Sequence, residues 1–395
     1  MSLTALIDDV APTAVELRHE LHAHPELSFE EFETAERVVA QLRSLPNLDI
    51  QTGIAKTGVM ATLNGDRDGP CVLLRCELDA LPMQEESDLP YRSTVDGKMH
   101  ACGHDGHMAC LLGAARVLSR MTDEIPGKIK FVWQPAEEGY GGGKVMIEEG
   151  ILENPKVDAA FALHGWPYLP LGVVGVHAGP TMASADFFDM TIHGQGTHAA
   201  YPHRGNDPVV IGAQIIQAAQ TIVTRATDPV DSAVISITQF HAGTAHNVIP
   251  ERAKLTGTIR TLREPVRKAT LARFEQLARS IAESFGAKLE IEWGGGYPVL
   301  VNDATCVDLV KDVAKATLGD ERVAPDMRAS MGGEDFAYFA QAVPSAFWRL
   351  GVATQDAATQ ATLHQPNYDF PDEAVATGIR MHCELTLEYI KRHAR

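Results

Sequence analysis

Residues 128–139 read KIKFVWQPAEEG, and the way this stretch parses decides the fold. Residues 128–133 form an apolar run of strand length, and Pro135 stops it because a prolyl nitrogen has no N–H to give to a sheet ladder. Two carboxylates, Glu137 and Glu138, follow at once. Runs of the same kind occupy residues 58–64 (GVMATLN), 71–78 (CVLLRCEL) and 157–163 (VDAAFAL). Between them, Leu111, Leu112, Ala115 and Leu118 recur at helical spacing and predict a helix over 105–120. Strands alternating with helices imply an α/β domain, a mostly parallel twisted sheet flanked by helices that takes its ligands at the carboxyl ends of the strands.

From about Ala185 the pattern changes to strand (FFDMTIHG), helix (206–226), strand (SAVISITQF), strand (AKLTGTIRTL), helix (264–285) and strand (AKLEIEW). This βαββαβ order is that of a ferredoxin-like α+β unit. Three segments follow: the first part of the sheet domain at 1–184, an inserted domain at 185–294, and the rest of the sheet domain at 295–395.

A chain of 395 residues, 45% hydrophobic and 22% charged, can bury a large core. Its net charge of −18 argues against nucleic-acid partners, whose backbone calls for clustered Lys and Arg. No apolar run reaches the roughly 18 residues of a membrane span. Asp8 and Asp9 stand where a signal peptide is basic, so a cytoplasmic location is expected. Five of the six cysteines sit in apolar surroundings and read as buried thiols. Cys102 is the exception, flanked by Gly103 and His104.

Three segments carry the chemistry. MHACGHDGH (99–107) opens the helix, and its Cys102 and His104, two apart, can turn a thiolate and an imidazole toward one ion. An isolated Cys-x-His pair is more often structural. In WQPAEEG (133–139) adjacent carboxylates project differently, so one can bind a cation while the other faces a water. His164, in FALHGW, directly follows a strand. Each alone has a bland explanation, a packed thiol, a solvated turn or a satisfied core histidine. Delivery of all three to one sheet edge is what points to a site.

The blocks HAHPELSFEE, DALP, MHACGHDGH, QPAEEG, ALHG, GTHAAYPH, NVIP and GEDFAYF span nearly the whole chain. Together they resemble the hippurate hydrolase and auxin-conjugate amidohydrolase family of metallo-aminoacylases. The resemblance implies a metal-binding catalytic domain with an inserted lid or dimerisation domain. It also implies two divalent metal ions per subunit, held by Cys102, His104, Glu138, His164 and, from LHQPNYDF, His364, with Glu137 as the catalytic base. His198 matches a histidine that stabilises the oxyanion in the partner subunit's site, which requires at least a homodimer. Asn247 and Arg260 match residues that hold a substrate carboxylate, and His19, His22 and His24 fall in a structural opening. The chain departs from the family pattern at Glu77, where Asp is usual, at Met108, where Thr is common, and at Gly333, where Ser is commoner.

The expected reaction is hydrolysis of an N-acyl amino acid by metal-activated water. A mixed thiolate, imidazole and carboxylate set favours zinc, manganese, cobalt or nickel over magnesium or calcium. A dinuclear dipeptidase or carboxypeptidase needs the same groups and is the nearest rival. An inactive ligand-binding relative has no need of a carboxylate such as Glu137 beside the metal, and redox chemistry at Cys102 lacks a resolving cysteine nearby.

Overall fold

The computed structural model describes residues 1–325, 327–355 and 359–394. The chain divides into two compact units, Met1–Gly179 with Val301–Arg328 and Asp335–Arg395, and Pro180–Leu300 with Ala329–Glu334. The sequence puts the passages at 184/185 and 294/295; the first unit instead ends at Gly179 and resumes at Val301. The short segment 329–334, expected with the sheet domain, groups with the second unit, where Ser330 bridges Met182 and its carbonyl accepts the Ala183 N–H.

The first unit opens with helices α1 (Leu3–Ala23) and α2 (Phe32–Leu42). Strands β1 (Leu48–Ile54), β2 (Gly58–Asn64) and β3 (Arg67–Glu77) follow, then α3 (His104–Leu118), β4 (Pro126–Gln134), α4 (Gly142–Glu148), β5 (Ala159–Pro170) and β6 (Val174–Gly175). A short strand, β7 (Gly179–Met182), falls at the passage into the second unit. That unit carries β8 (Ser184–His193), β9 (Thr197–His198), α5 (Pro208–Thr221), β10 (Ala233–Ala242), β11 (Val248–Ile249), β12 (Arg252–Thr261), α6 (Glu264–Ser284) and β13 (Lys288–Tyr297). The chain returns through β14 (Leu300–Asn302) and closes with α7 (Ala304–Leu318), α8 (Ala337–Ala342), β15 (Ser345–Ala353) and α9 (Asp372–His393).

The sheet of the first unit runs β1-β2-β4-β3-β5-β15-β6. Its centre, β4-β3-β5-β15, is parallel, and the antiparallel strands lie at the edges. Every residue of α3 except Arg116 is buried, which its composition permits because Leu, Ala, Met, Cys and Gly fill nearly all of its faces. It packs between α1, α9 and the sheet. Strand β5 is longer than the 157–163 run that the sequence predicts. Its pairing with β3 stops at Ala162, but β15 on the other side keeps it extended as far as Pro170. His164 therefore sits inside the strand, just past the point where β3 lets go.

In the second unit β10-β12-β8-β13 form an antiparallel sheet. Helices α5 and α6 bury Ile211, Ile215, Phe274 and Ala278 against Phe188, Met190, Ile192 and Leu255 of that sheet. The order β8-α5-β10-β12-α6-β13 is the βαββαβ pattern of the sequence, with the short β9–β11 ladder added. Among the described residues no helix is long and apolar enough to cross a membrane.

Candidate metal centre

The loop before α3 carries Cys102, and His104 is the first residue of that helix. The His104 ring lies against the end of β3: its Nδ1 is 2.7 Å from the Asp79 carbonyl oxygen. A carbonyl only accepts, so Nδ1 carries a proton, and Nε2 is the nitrogen left to face an ion. That Nε2 is buried and has no hydrogen-bond partner among the described residues. His164 repeats the arrangement, with Nδ1 2.7 Å from the Gly165 carbonyl oxygen and Nε2 3.4 Å from Cys102 Sγ. Ligand atoms of Cys102, His104 and His164 lie within 4.8 Å of one another.

The Glu pair is aimed by a backbone kink. Ala136 has φ 55°, a left-handed conformation that costs roughly 1 kcal/mol or more for a residue with a Cβ. It is held by Glu31, whose carboxylate accepts the Ala136 N–H at 2.9 Å, and by the N–H of Gly142 on its carbonyl at 3.1 Å. Burial raises the pKa of that Glu31 carboxyl. On the far side of the kink, the Glu138 N–H donates to Asp79 Oδ2 at 2.9 Å, and Ser28 Oγ donates to the same oxygen at 2.7 Å. Asp79 thus fixes both His104 and Glu138. Glu137 is buried, and its carboxylate groups with Glu138 and His104 within 4.8 Å.

His364 arrives on a loop, at φ 62°, with its N–H donated to the Ala101 carbonyl at 2.8 Å. Its Nε2 is 3.4 Å from Glu138 Oε1, and it forms a second trio with Cys102 and Glu138. Cys102 belongs to both trios. Burial, then the Glu138 and Glu137 charges, push the Cys102 thiol well above its usual range, so a thiolate here calls for a neighbouring cation. Burial likewise holds His164 well below the ordinary imidazole value, which keeps its Nε2 lone pair free. Among the described residues, a buried imidazole nitrogen and a buried Glu138 Oε1, neither of them hydrogen-bonded, together with a protonated thiol fit a site made for divalent cations.

Glu77, His104 and His107 form a further close trio. It does not fit an ion. Both nitrogens of His107 are committed, to Glu77 at 2.8 Å and to the Gly165 N–H at 2.7 Å, and the Arg75 guanidinium sits on Glu77. All six cysteines are free and buried, Cys102 included, although its sequence neighbours do not announce a core position.

The remaining expected residues lie in the second unit. His198 and Asn247 are exposed and share the β9–β11 ladder, where Val248 pairs with His198 and the Ala199 N–H donates to the Asn247 carbonyl at 3.0 Å. Arg260 lies on β12, its Nε bonded to Thr258 Oγ1 at 2.9 Å and its guanidinium 5.2 Å from the centre of the Phe187 ring. Burial lowers its pKa.

Sequence reasoning gave no role to Asp79, Glu31, Asp105 or Glu85. Asp105, next to His104, receives His22 Nδ1 at 2.9 Å and Arg18 at 3.3 Å, and the other nitrogen of His22 faces Glu85 at 3.3 Å. Burial pulls the His22 pKa down, but Asp105 and Glu85 outweigh it and raise the value to about 10. His19 meets Asp372 at 3.0 Å, and His24 caps the Glu20 carbonyl. Glu26 and Glu31 lie in the block HAHPELSFEE, so that block was the available signal: its acidic residues serve the fold around the centre.

Residues 73–388 match the model of peptidase family M20/M25/M40, and the chain belongs to that family. N-acetylcysteine deacetylase of Bacillus subtilis is 38% identical over 381 residues, 95% of this chain and 97% of the relative. Thermostable carboxypeptidase 2 of Saccharolobus solfataricus is 35% identical over 387 residues, 97% of each chain. A solved Bacillus subtilis structure, described as a dinuclear metal binding peptidase from the M20 family, aligns with a TM-score of 0.82 at 35% identity, covering 97% of this chain and 99% of that one.

Proposed function

We propose that this chain hydrolyses the amide bond of N-acyl amino acids as a metal-dependent amidohydrolase. The observation that carries the reading is Cys102 shared between two ligand trios, with Glu137 buried at the edge of the cluster. Cys102, His104, Glu138, His164 and His364 hold two divalent ions, drawn from zinc, manganese, cobalt and nickel. Bound there, such ions would supply Lewis acidity and a lowered water pKa. Glu137 takes the proton of the attacking water and passes it to the departing nitrogen. Asp79 keeps the His104 lone pair and the Glu138 backbone in place, so neither has to reorganise during the reaction.

His198 is assigned oxyanion stabilisation in a neighbouring subunit, which makes the working form a homodimer or larger. Arg260, with Asn247, is assigned the carboxylate of the substrate, for which a planar guanidinium is well shaped. The second unit then acts as a lid and dimerisation domain. A cytoplasmic location completes the reading, in keeping with the acidic composition.

The test combines chelation, metal add-back and Glu137→Gln on acetyl, benzoyl and dipeptidyl substrates. Chelation abolishes and metal restores activity, and Glu137→Gln lowers kcat by about 10²–10⁴-fold with metal content unchanged. Full activity in Glu137→Gln would refute the mechanism, and preferential turnover of dipeptides would move the substrate class to a dipeptidase or carboxypeptidase.

A further inference from the structure

Behind the centre lies a buried polar chain that the reaction does not consume. Arg75, Glu77, His107, Gln134 and Asp335 are all fully or almost fully buried. Arg75 pairs with Glu77 and, at 2.7 Å, with Asp335, whose carboxylate also accepts the Gln134 amide at 2.8 Å and the Gly143 N–H at 2.8 Å. The other oxygen of Glu77 is 2.8 Å from His107 Nδ1. His107 Nε2 in turn accepts the N–H of Gly165 at 2.7 Å. A backbone N–H only donates, so Nε2 is unprotonated, Nδ1 carries the proton and Glu77 receives it. Gly165, whose N–H is fixed in this way, is also the residue whose carbonyl, one peptide further on, accepts His164 Nδ1 at 2.7 Å.

We infer that Glu77 and His107 are positioning residues which, through the backbone on either side of Gly165, hold the His164 imidazole with Nε2 toward Cys102 and thereby set the metal affinity of the centre. The inference rests on reading His164 as a metal ligand. Its geometric basis is a line of short bonds, each buried and each with one possible proton arrangement, ending on one imidazole. Without the relay, the β5 backbone at Gly165 has a buried N–H with no acceptor, at the place where the β3 ladder has already stopped. The peptide then rotates to find a partner, and the His164 ring turns with it. Arg75 completes the device by pairing with and immobilising Glu77 in a buried setting, and Asp335 in turn holds Arg75. The departure from the family at position 77 therefore falls on a residue of the centre's supporting shell, whereas Met108, another departure, is merely packed in the core of α3.

The experiment loads the full-length protein with cobalt(II) and measures affinity by chelator competition together with the visible spectrum of the ion. Four variants are compared with wild type: His107→Phe, His107→Gln, Glu77→Gln and His164→Ala. His107→Phe keeps a ring but removes both nitrogens, and cobalt binds about 10–100-fold more weakly, with an altered ligand-field spectrum. His107→Gln restores an acceptor and recovers part of the loss. Glu77→Gln keeps shape and an oxygen acceptor, replaces His107→Phe should that variant fail to fold, and shifts affinity in the same direction. Thermal unfolding of the metal-free proteins separates these effects from general destabilisation, because a purely structural role leaves the spectrum of the bound ion unchanged. Wild-type affinity and spectrum in His107→Phe, or in Glu77→Gln should the former fail to fold, with a weakened His164→Ala, overturns the relay alone. Wild-type affinity in His164→Ala as well overturns the ligand reading on which the relay stands.

Discussion

His164 and His364 both bring an imidazole nitrogen within 4.8 Å of the Cys102 sulfur, but His164 is only 7% exposed whereas the His364 side chain is 54% exposed. His164 is fixed at Nδ1 by the Gly165 carbonyl, and the peptide behind it is fixed by His107. His364 is held through its backbone: φ 62° and the N–H bond to Ala101 set where the side chain starts, and its Nε2 faces Glu138 Oε1 at 3.4 Å. His164 is thus buried and held on both sides, whereas the His364 side chain faces solvent and is placed by its backbone.

The largest expected effect comes from breaking the buried half. His164→Ala weakens metal binding by more than about 100-fold, beyond the range typical of changes outside the ligand set, whereas His364→Ala costs about tenfold. Chelator competition on the two variants checks the difference. Equal losses would mean that burial of the ligand does not matter here.

The next effect is on stability, and it concerns the charges packed behind the same helix. His22→Gln takes the imidazolium from between the buried Asp105 and Glu85, leaving Asp105 with Arg18, and loss of one partner from such a set costs roughly 3–5 kcal/mol. The sign with pH follows from the raised pKa. His22 binds its proton more tightly folded than unfolded, so its contribution is complete below about 6.5 and is lost as the pH rises through about 10. Denaturant unfolding of wild type and variant should show a gap that is constant at acidic pH and narrows across that window. A gap that widens would reverse the assignment of charge.

The smallest effect belongs to the second unit. A Cβ at Gly333 would lie 3.0 Å from Arg260 Nη1 and 3.0 Å from the Tyr297 ring, so Gly333→Ser must push the guanidinium aside. If Arg260 holds the substrate carboxylate, KM rises a few-fold and kcat changes little, within the few-kcal/mol range of a modest pocket change. An unchanged KM would remove Arg260 from substrate binding.

What the sequence discloses and what it hides divide along the same line. Strand β4 and its Glu pair are legible because an apolar run, a proline and two carboxylates are local signals. The βαββαβ order of the second unit is legible for the same reason, since each element carries its own period and turn residues. The full length of β5 is not, because its last residues stay extended only through pairing with β15, nearly two hundred residues away in sequence. Glu77 and His107 are thirty positions apart and give no local sign of their bond. His364 has no periodic context either, and a left-handed loop residue leaves no pattern to read. Burial of polar groups is a property of tertiary structure, so the residues that tune the centre are the ones the sequence conceals.

The account stands most directly on a count of metal ions. Elemental analysis of the purified, metal-saturated protein, run beside Cys102→Ala, should give two divalent ions per chain for the wild type. The variant should lose ions from the centre, because Cys102 belongs to both ligand trios. Two ions retained by Cys102→Ala, or none in the saturated wild type, would contradict the shared-thiolate centre.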